Sequence, residues 1–135
     1  MNLSKKRTYR KGIDPTENQI QMSIITYLRT EQAHKRGWTF YAVPNDGRGG
    51  KNHKIHAWKM GQLSGVADIY LNDPDGKSYY IEVKRCDNKQ SKYQIEFQAH
   101  CEAKGIPYAI ARSLDDAKII LDSWGLNKHT TARAA

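Results

Sequence analysis

The stretch from residue 65 to 84, GVADIYLNDPDGKSYYIEVK, constrains the fold more than any other part of the chain. Asn72-Asp73-Pro74-Asp75-Gly76 is dense in turn formers, with proline fixing φ and glycine free to take φ > 0. Residues 66–71 before it and 79–84 after it are rich in β-branched and aromatic types and read as two strands of a hairpin. Side chains alternate along a strand, so Glu82 and Lys84 share one face, and Ile81 and Val83 take the other. Asp68 faces away from Ala67 and Ile69. A turn symmetric about Asp75 sets Asp68 across from Glu82. Directly opposite residues have Cβ atoms about 4.5–5.5 Å apart, and like charges there destabilise a sheet. One reading places a divalent cation between the carboxylates, with Lys84 completing the cluster. The other leaves both acids solvated and Glu82/Lys84 as an ordinary surface pair.

A chain of 135 residues suggests one domain able to bury a real core. Its formal charge of +8 and pI near 9.5 favour a polyanionic partner, most simply nucleic acid, although net charge also serves solubility alone. No apolar run approaches the ~18–20 residues of a membrane span, and the start lacks the apolar core of a signal peptide. Two cysteines, Cys86 and Cys101, are too few for a disulfide framework or a cysteine-rich zinc site. A reduced, cytoplasmic compartment is the expectation.

Residues 1–13 carry Lys5, Lys6, Arg7, Arg10 and Lys11 and no acid. They read as a flexible basic arm that either tracks phosphates or is a disordered tail. Asp14-Pro15-Thr16-Glu17 predicts a helix start, with Asp14 as N-cap and Glu17 as the reciprocal half of a capping box. The helix is predicted to run to about Lys35 on an Ile20, Ile24, Leu28 stripe. Residues 38–43 predict a strand. The glycine-rich turn after it holds Asn45, Arg48 and Lys51, with Lys54 beyond. It suits either close approach to phosphates or a mobile loop. It is not a P-loop, because Asn45 stands where the first glycine belongs and Asn52 follows the lysine, so no nucleotide cofactor is expected. Residues 51–60 predict a short helix, on which His53 and His56 lack a convincing third metal ligand. Ser91 and Gln94 predict a second capping box opening a helix to about Lys104, with Tyr93, Phe97 and Cys101 as its apolar stripe. Residues 107–111 predict a short buried strand. Ser113 caps a last helix that turns Leu114, Ala117, Ile120, Leu121 and Trp124 inward, and Gly125 stops it. The order predicts a layered α/β domain over residues 14–125, a mixed sheet flanked by helices, followed by a disordered tail at 126–135.

The whole pattern resembles the VRR-NUC family of PD-(D/E)xK nucleases, in its stand-alone single-domain form. Glu17 with Gln21 is similar to that family's opening motif, and Phe40-Tyr41-Ala42-Val43-Pro44-Asn45 to its strand ending in Pro-Asn. Residues 59–68 resemble its Gly-x-Pro-Asp segment, Ile81-Glu82-Val83-Lys84 its ExK strand, and Ser91-x-x-Gln94 with Phe97 its Ser-x-x-Gln helix. The resemblance covers residues 17–113. Ala67 departs from the pattern, which has Pro before the Asp. The resemblance implies a restriction-endonuclease-like core and Mg²⁺- or Mn²⁺-dependent cleavage of DNA, selective for branched substrates and often performed by homodimers. It implies Asp68, Glu82, the Val83 carbonyl and Glu17 as metal ligands, Lys84 beside the attacking water, and Gln94 positioning water or phosphate. Lys5, Lys6, Arg7, Asn45, Arg48, Lys51 and Lys54 are the candidates for contact with nucleic acid. The competing class is a non-catalytic junction-binding module on the same fold.

Overall fold

The computed structural model describes residue 3 and residues 7–44 and 50–128. Lys5, Lys6, Asn45 and Arg48 lie outside the described residues, as does the tail from 129. Among the described residues, strands β1 (Thr39–Ala42), β2 (Ile69–Asn72), β3 (Ser78–Val83) and β4 (Tyr108–Ala111) form a single sheet in that order. The first three run antiparallel; β3 and β4 are parallel, joined through helix α3 (Lys92–Ala103). Helices α1 (Glu17–Thr30), α2 (Lys51–Lys59) and α4 (Leu114–Ser123) complete the α/β architecture.

The hairpin takes the register its turn dictates. Ile69 pairs with Ile81, Tyr70 with Tyr80, Leu71 with Tyr79 and Asn72 with Ser78. Asp73 fixes the turn: its Oδ1 accepts the N–H groups of Asp75 and Lys77 at 2.8 and 2.9 Å, and its Oδ2 accepts the Tyr79 hydroxyl at 2.8 Å. Continued by one residue, the same register sets Asp68 against Glu82.

The two faces of the sheet differ. Ile69, Leu71, Ile81 and Val83 point into a core filled by Ile20, Ile24 and Leu28 of α1 and by Ala117, Ile120 and Leu121 of α4. Each such aliphatic side chain contributes roughly 1.5–3 kcal/mol when fully buried. The opposite face carries a chain of rings. Tyr41, Tyr70, Tyr80 and Phe97 follow one another with centroids 5.0, 5.4 and 5.0 Å apart, and Tyr108 lies 6.2 Å beyond Phe97. Phe97 comes from α3, which covers that face.

Several boundaries move. The first helix is capped by Thr16, with Gln19 rather than Glu17 closing the capping box. Asp14 is instead buried and accepts the guanidinium groups of Arg7 and Arg10, which hold its carboxyl well below the usual range. Arg7 also donates its N–H to the Cys86 carbonyl, so residues 7–13 are tied to the domain. Helix α1 ends at Thr30 because Gln32 turns left-handed at φ 54°, after which Ala33–Arg36 form a 3₁₀ turn. Strand β4 was expected to be buried but is an edge strand in which only Ala111 is buried. Tyr93 is exposed rather than part of the α3 stripe, while Cys101 is buried as expected. The core also extends past Gly125, since Leu126 is fully buried.

Candidate active site

Asp68 sits in the bend just before β2. Its Oδ2 accepts the Val83 N–H at 2.7 Å, so a side-chain carboxylate extends the β2–β3 ladder where a backbone carbonyl would otherwise serve. Glu82, on the ring-bearing face of β3, is only 1% exposed. Its Oε2 accepts Gln94 Nε2 at 2.7 Å and lies 3.8 Å from Lys84 Nζ. Its Oε1 is buried and meets no hydrogen-bond donor.

This arrangement is electrostatically costly as it stands. Burial raises the Glu82 carboxyl to about 9, the neighbouring Asp68 adds to the rise, and Lys84 opposes it. Burial also raises Asp68, against the lowering effect of the Val83 N–H. The charge on Glu17 pushes both upward. Two adjacent carboxylates whose burial disfavours their charged forms are groups a cation would relieve.

Gln94 does two things at once. Its N–H donates to Ser91 Oγ at 3.2 Å and its Oε1 accepts the Ser91 N–H at 2.8 Å, the expected capping box. The other end of the same amide holds Glu82. The capping reading of Gln94 holds, and the amide also reaches Glu82, a partner the sequence reading did not name.

Glu17 is the first residue of α1, released from the capping role by Gln19. Its Oε1 accepts Asn88 Nδ2 at 2.8 Å. The loop bearing Asn88 is held in turn by Arg112, whose Nη1 donates to the carbonyls of Arg85 and Asn88, both at 2.8 Å. Asn88 and Arg112 were not among the predicted site residues; nothing local distinguishes them from other polar loop and strand-end residues. Gly65 was missed as a positioning residue too. Its φ is +85°, and a Cβ there would overlap the Tyr93 carbonyl and lie 2.8 Å from the Gln94 nitrogen. Only the absence of a side chain lets this segment pass the start of α3.

Among the described residues no three His, Cys, Asp or Glu side chains are arranged to hold a metal ion. That includes His53 and His56, and Glu17 does not complete a carboxylate triad with Asp68 and Glu82. The donor set that fits a hard cation is narrower: the unpartnered Glu82 Oε1, the adjacent Asp68 carboxylate, and neutral oxygens such as a backbone carbonyl or water. Of the predicted nucleic-acid contacts, Arg7 is engaged with Asp14, while Lys51 and Lys54 are exposed on α2. No helix among the described residues is long and apolar enough to cross a membrane.

A solved structure described as a VRR_NUC domain superposes on this one with a TM-score of 0.54, covering 82% of this chain and 99% of the other at 16% sequence identity. The fold is that of a VRR_NUC domain. The likeness is one of architecture rather than of extended sequence. No protein-family model matches the chain, and no curated protein does.

Proposed function

We propose that the chain is an Mg²⁺- or Mn²⁺-dependent endonuclease that hydrolyses phosphodiester bonds in DNA. The observation that carries this reading is the buried, donor-less Glu82 Oε1 beside Asp68, with Lys84 and Gln94 on the other oxygen of the same carboxylate. A hard cation held by Asp68, Glu82 and the Val83 carbonyl would polarise a phosphoryl oxygen and ease deprotonation of an attacking water.

The chain's own residues supply the rest. The Val83 N–H and Gln94 fix the two carboxylates, so little reorganisation is needed when charge develops. Lys84, on the same face two residues beyond Glu82, offsets charge on the phosphate and orients the water. Glu17 acts at a distance, adding negative potential that favours a cation. The net charge of +8 draws in the polyanion, and binding should weaken steeply with salt as lysine and arginine contacts release counterions. Selectivity for branched DNA is what the resemblance to stand-alone VRR-NUC nucleases implies, and it is part of this proposal. A two-fold dimer follows from the task, since one site per chain cuts one strand at a time.

The test is a cleavage panel of single-stranded, duplex, flap, fork and four-way DNA in Mg²⁺ or Mn²⁺, with Asp68→Asn and Lys84→Met alongside. Metal-dependent cutting that both substitutions abolish is expected. Equal cutting by all three proteins would place the activity elsewhere. Salt-sensitive binding without cutting in any metal would assign the chain to junction recognition.

A further inference from the structure

Helix α2 stands apart from the rest of the molecule. None of its residues is buried, and its sequence, KNHKIHAWK, contains three lysines, two histidines and no acid. Lys51, Lys54, Ile55 and Trp58 stand at i, i+3, i+4 and i+7, so they share one helix face, and together they line a single cavity of about 440 Å³. Trp58 is 74% exposed, whereas Trp38 is only 3% exposed in the core. Ile55, Met60 and Leu63 are exposed around it, and a cluster of exposed apolar side chains marks an interaction site where a single one would not. Trp58 also lines, with Leu63, Tyr93, Phe97 and Glu96, an adjoining groove of about 720 Å³ that runs along α3 toward the end carrying Gln94.

We propose that this face of α2 is a platform for an unpaired nucleotide, with the base stacked on Trp58 and the flanking phosphates against Lys51 and Lys54. The proposal rests on the nucleic-acid reading above and deepens it to the single-stranded part of a branched substrate. Charge selects the ligand class, because a stripe of lysines without acids suits a polyanion. It also disfavours a second copy of this chain: a two-fold contact through α2 would bring together two helices that each carry three lysines and no acid. The indole selects single-stranded over duplex nucleic acid. A base inside a duplex has both faces covered by its neighbours, whereas an unpaired base offers a free π-face. Glu96 in the adjoining groove repels phosphate but not a base, which fits the base lying on that side of the indole and the backbone on the lysine side.

The experiment measures binding in EDTA, so that no cutting is required. Labelled oligothymidylate and a duplex of equal length are titrated with the full chain, Trp58→Ala and Trp58→Phe. Wild type is expected to bind both. Trp58→Ala should weaken oligothymidylate binding roughly tenfold, the range of one lost base stack, with duplex binding nearly unchanged. Trp58→Phe should retain most of the single-strand affinity while losing the quenching of tryptophan emission. Equal oligothymidylate affinity in wild type and Trp58→Ala, with duplex binding intact, overturns the platform alone. Failure of wild type to bind either probe removes the nucleic-acid reading beneath it. A Trp58→Ala protein that sediments at a smaller mass yet keeps its oligothymidylate affinity would reassign the face to self-association.

Discussion

The two faces of the sheet are built from alternate residues of the same strands and do opposite work. Ile69, Ile81 and Val83 point into a dry aliphatic core whose contacts are interchangeable in kind. Asp68, Tyr80 and Glu82 point the other way, where the Val83 N–H and Gln94 each hold one carboxylate oxygen and Glu82 Oε1 has no hydrogen-bond partner. Stability is concentrated on the first face and chemistry on the second. A one-residue slip in register would exchange them, which is why the Asp73 turn matters to both.

Substitutions can break this division or sharpen it. The largest effect belongs to the polar face. Glu82→Gln should lower metal-dependent cleavage by roughly a thousandfold, about 4 kcal/mol of barrier at ~1.4 kcal/mol per tenfold. Its metal-free stability at pH 8 should not fall, because a buried carboxyl with a raised pKa disfavours the fold once it must ionise. Single-turnover rates and urea denaturation check the two halves. A joint collapse of activity and stability would erase the division.

Leu28→Ala is the complementary change. It should destabilise by about 2–5 kcal/mol through a cavity in the core. The folded fraction should keep the wild-type rate per active site. Gly65→Ala crosses the boundary, since it strains a left-handed backbone and pushes on the start of α3. A loss of about 1–3 kcal/mol is expected, together with a cleavage defect that Leu28→Ala does not share.

The last effect is a slope with pH rather than a loss at one condition. With Glu82 raised from 4.5 to about 9 in the fold, the metal-free native state binds more protons than the unfolded chain between those values. Stability should therefore fall as pH rises across that window. Glu82→Gln should flatten this dependence, and saturating Mn²⁺ should flatten it too, because the bound ion keeps Glu82 ionised in the fold as it already is in the unfolded chain. Thermal melts from pH 5 to pH 9 provide the measurement.

The hairpin was legible because everything that sets it is local: a five-residue turn and strict alternation of side chains. The apposition of Asp68 and Glu82 followed without any long-range information. The start of α1 misled because Asp14 with Glu17 and Thr16 with Gln19 are two capping patterns set two residues apart, and tertiary charge decided between them. Arg7 and Arg10 claim Asp14, leaving Thr16 to cap. The position of β4 at the sheet edge was hidden for a different reason. Its apolar run is what a buried strand needs, and sequence does not say how many neighbours a strand has. Asn88, Arg112 and Gly65 were invisible because their roles depend on what crosses them in space, not on what flanks them in the chain.

The double engagement of Gln94 ties two events that are separate in most helices. The first turn of α3 cannot fray without releasing Glu82, and Glu82 cannot swing away without loosening that turn. Occupancy of the site by a cation should then be readable at a distance from it, as slower hydrogen exchange at the Ser91 and Gln94 amides.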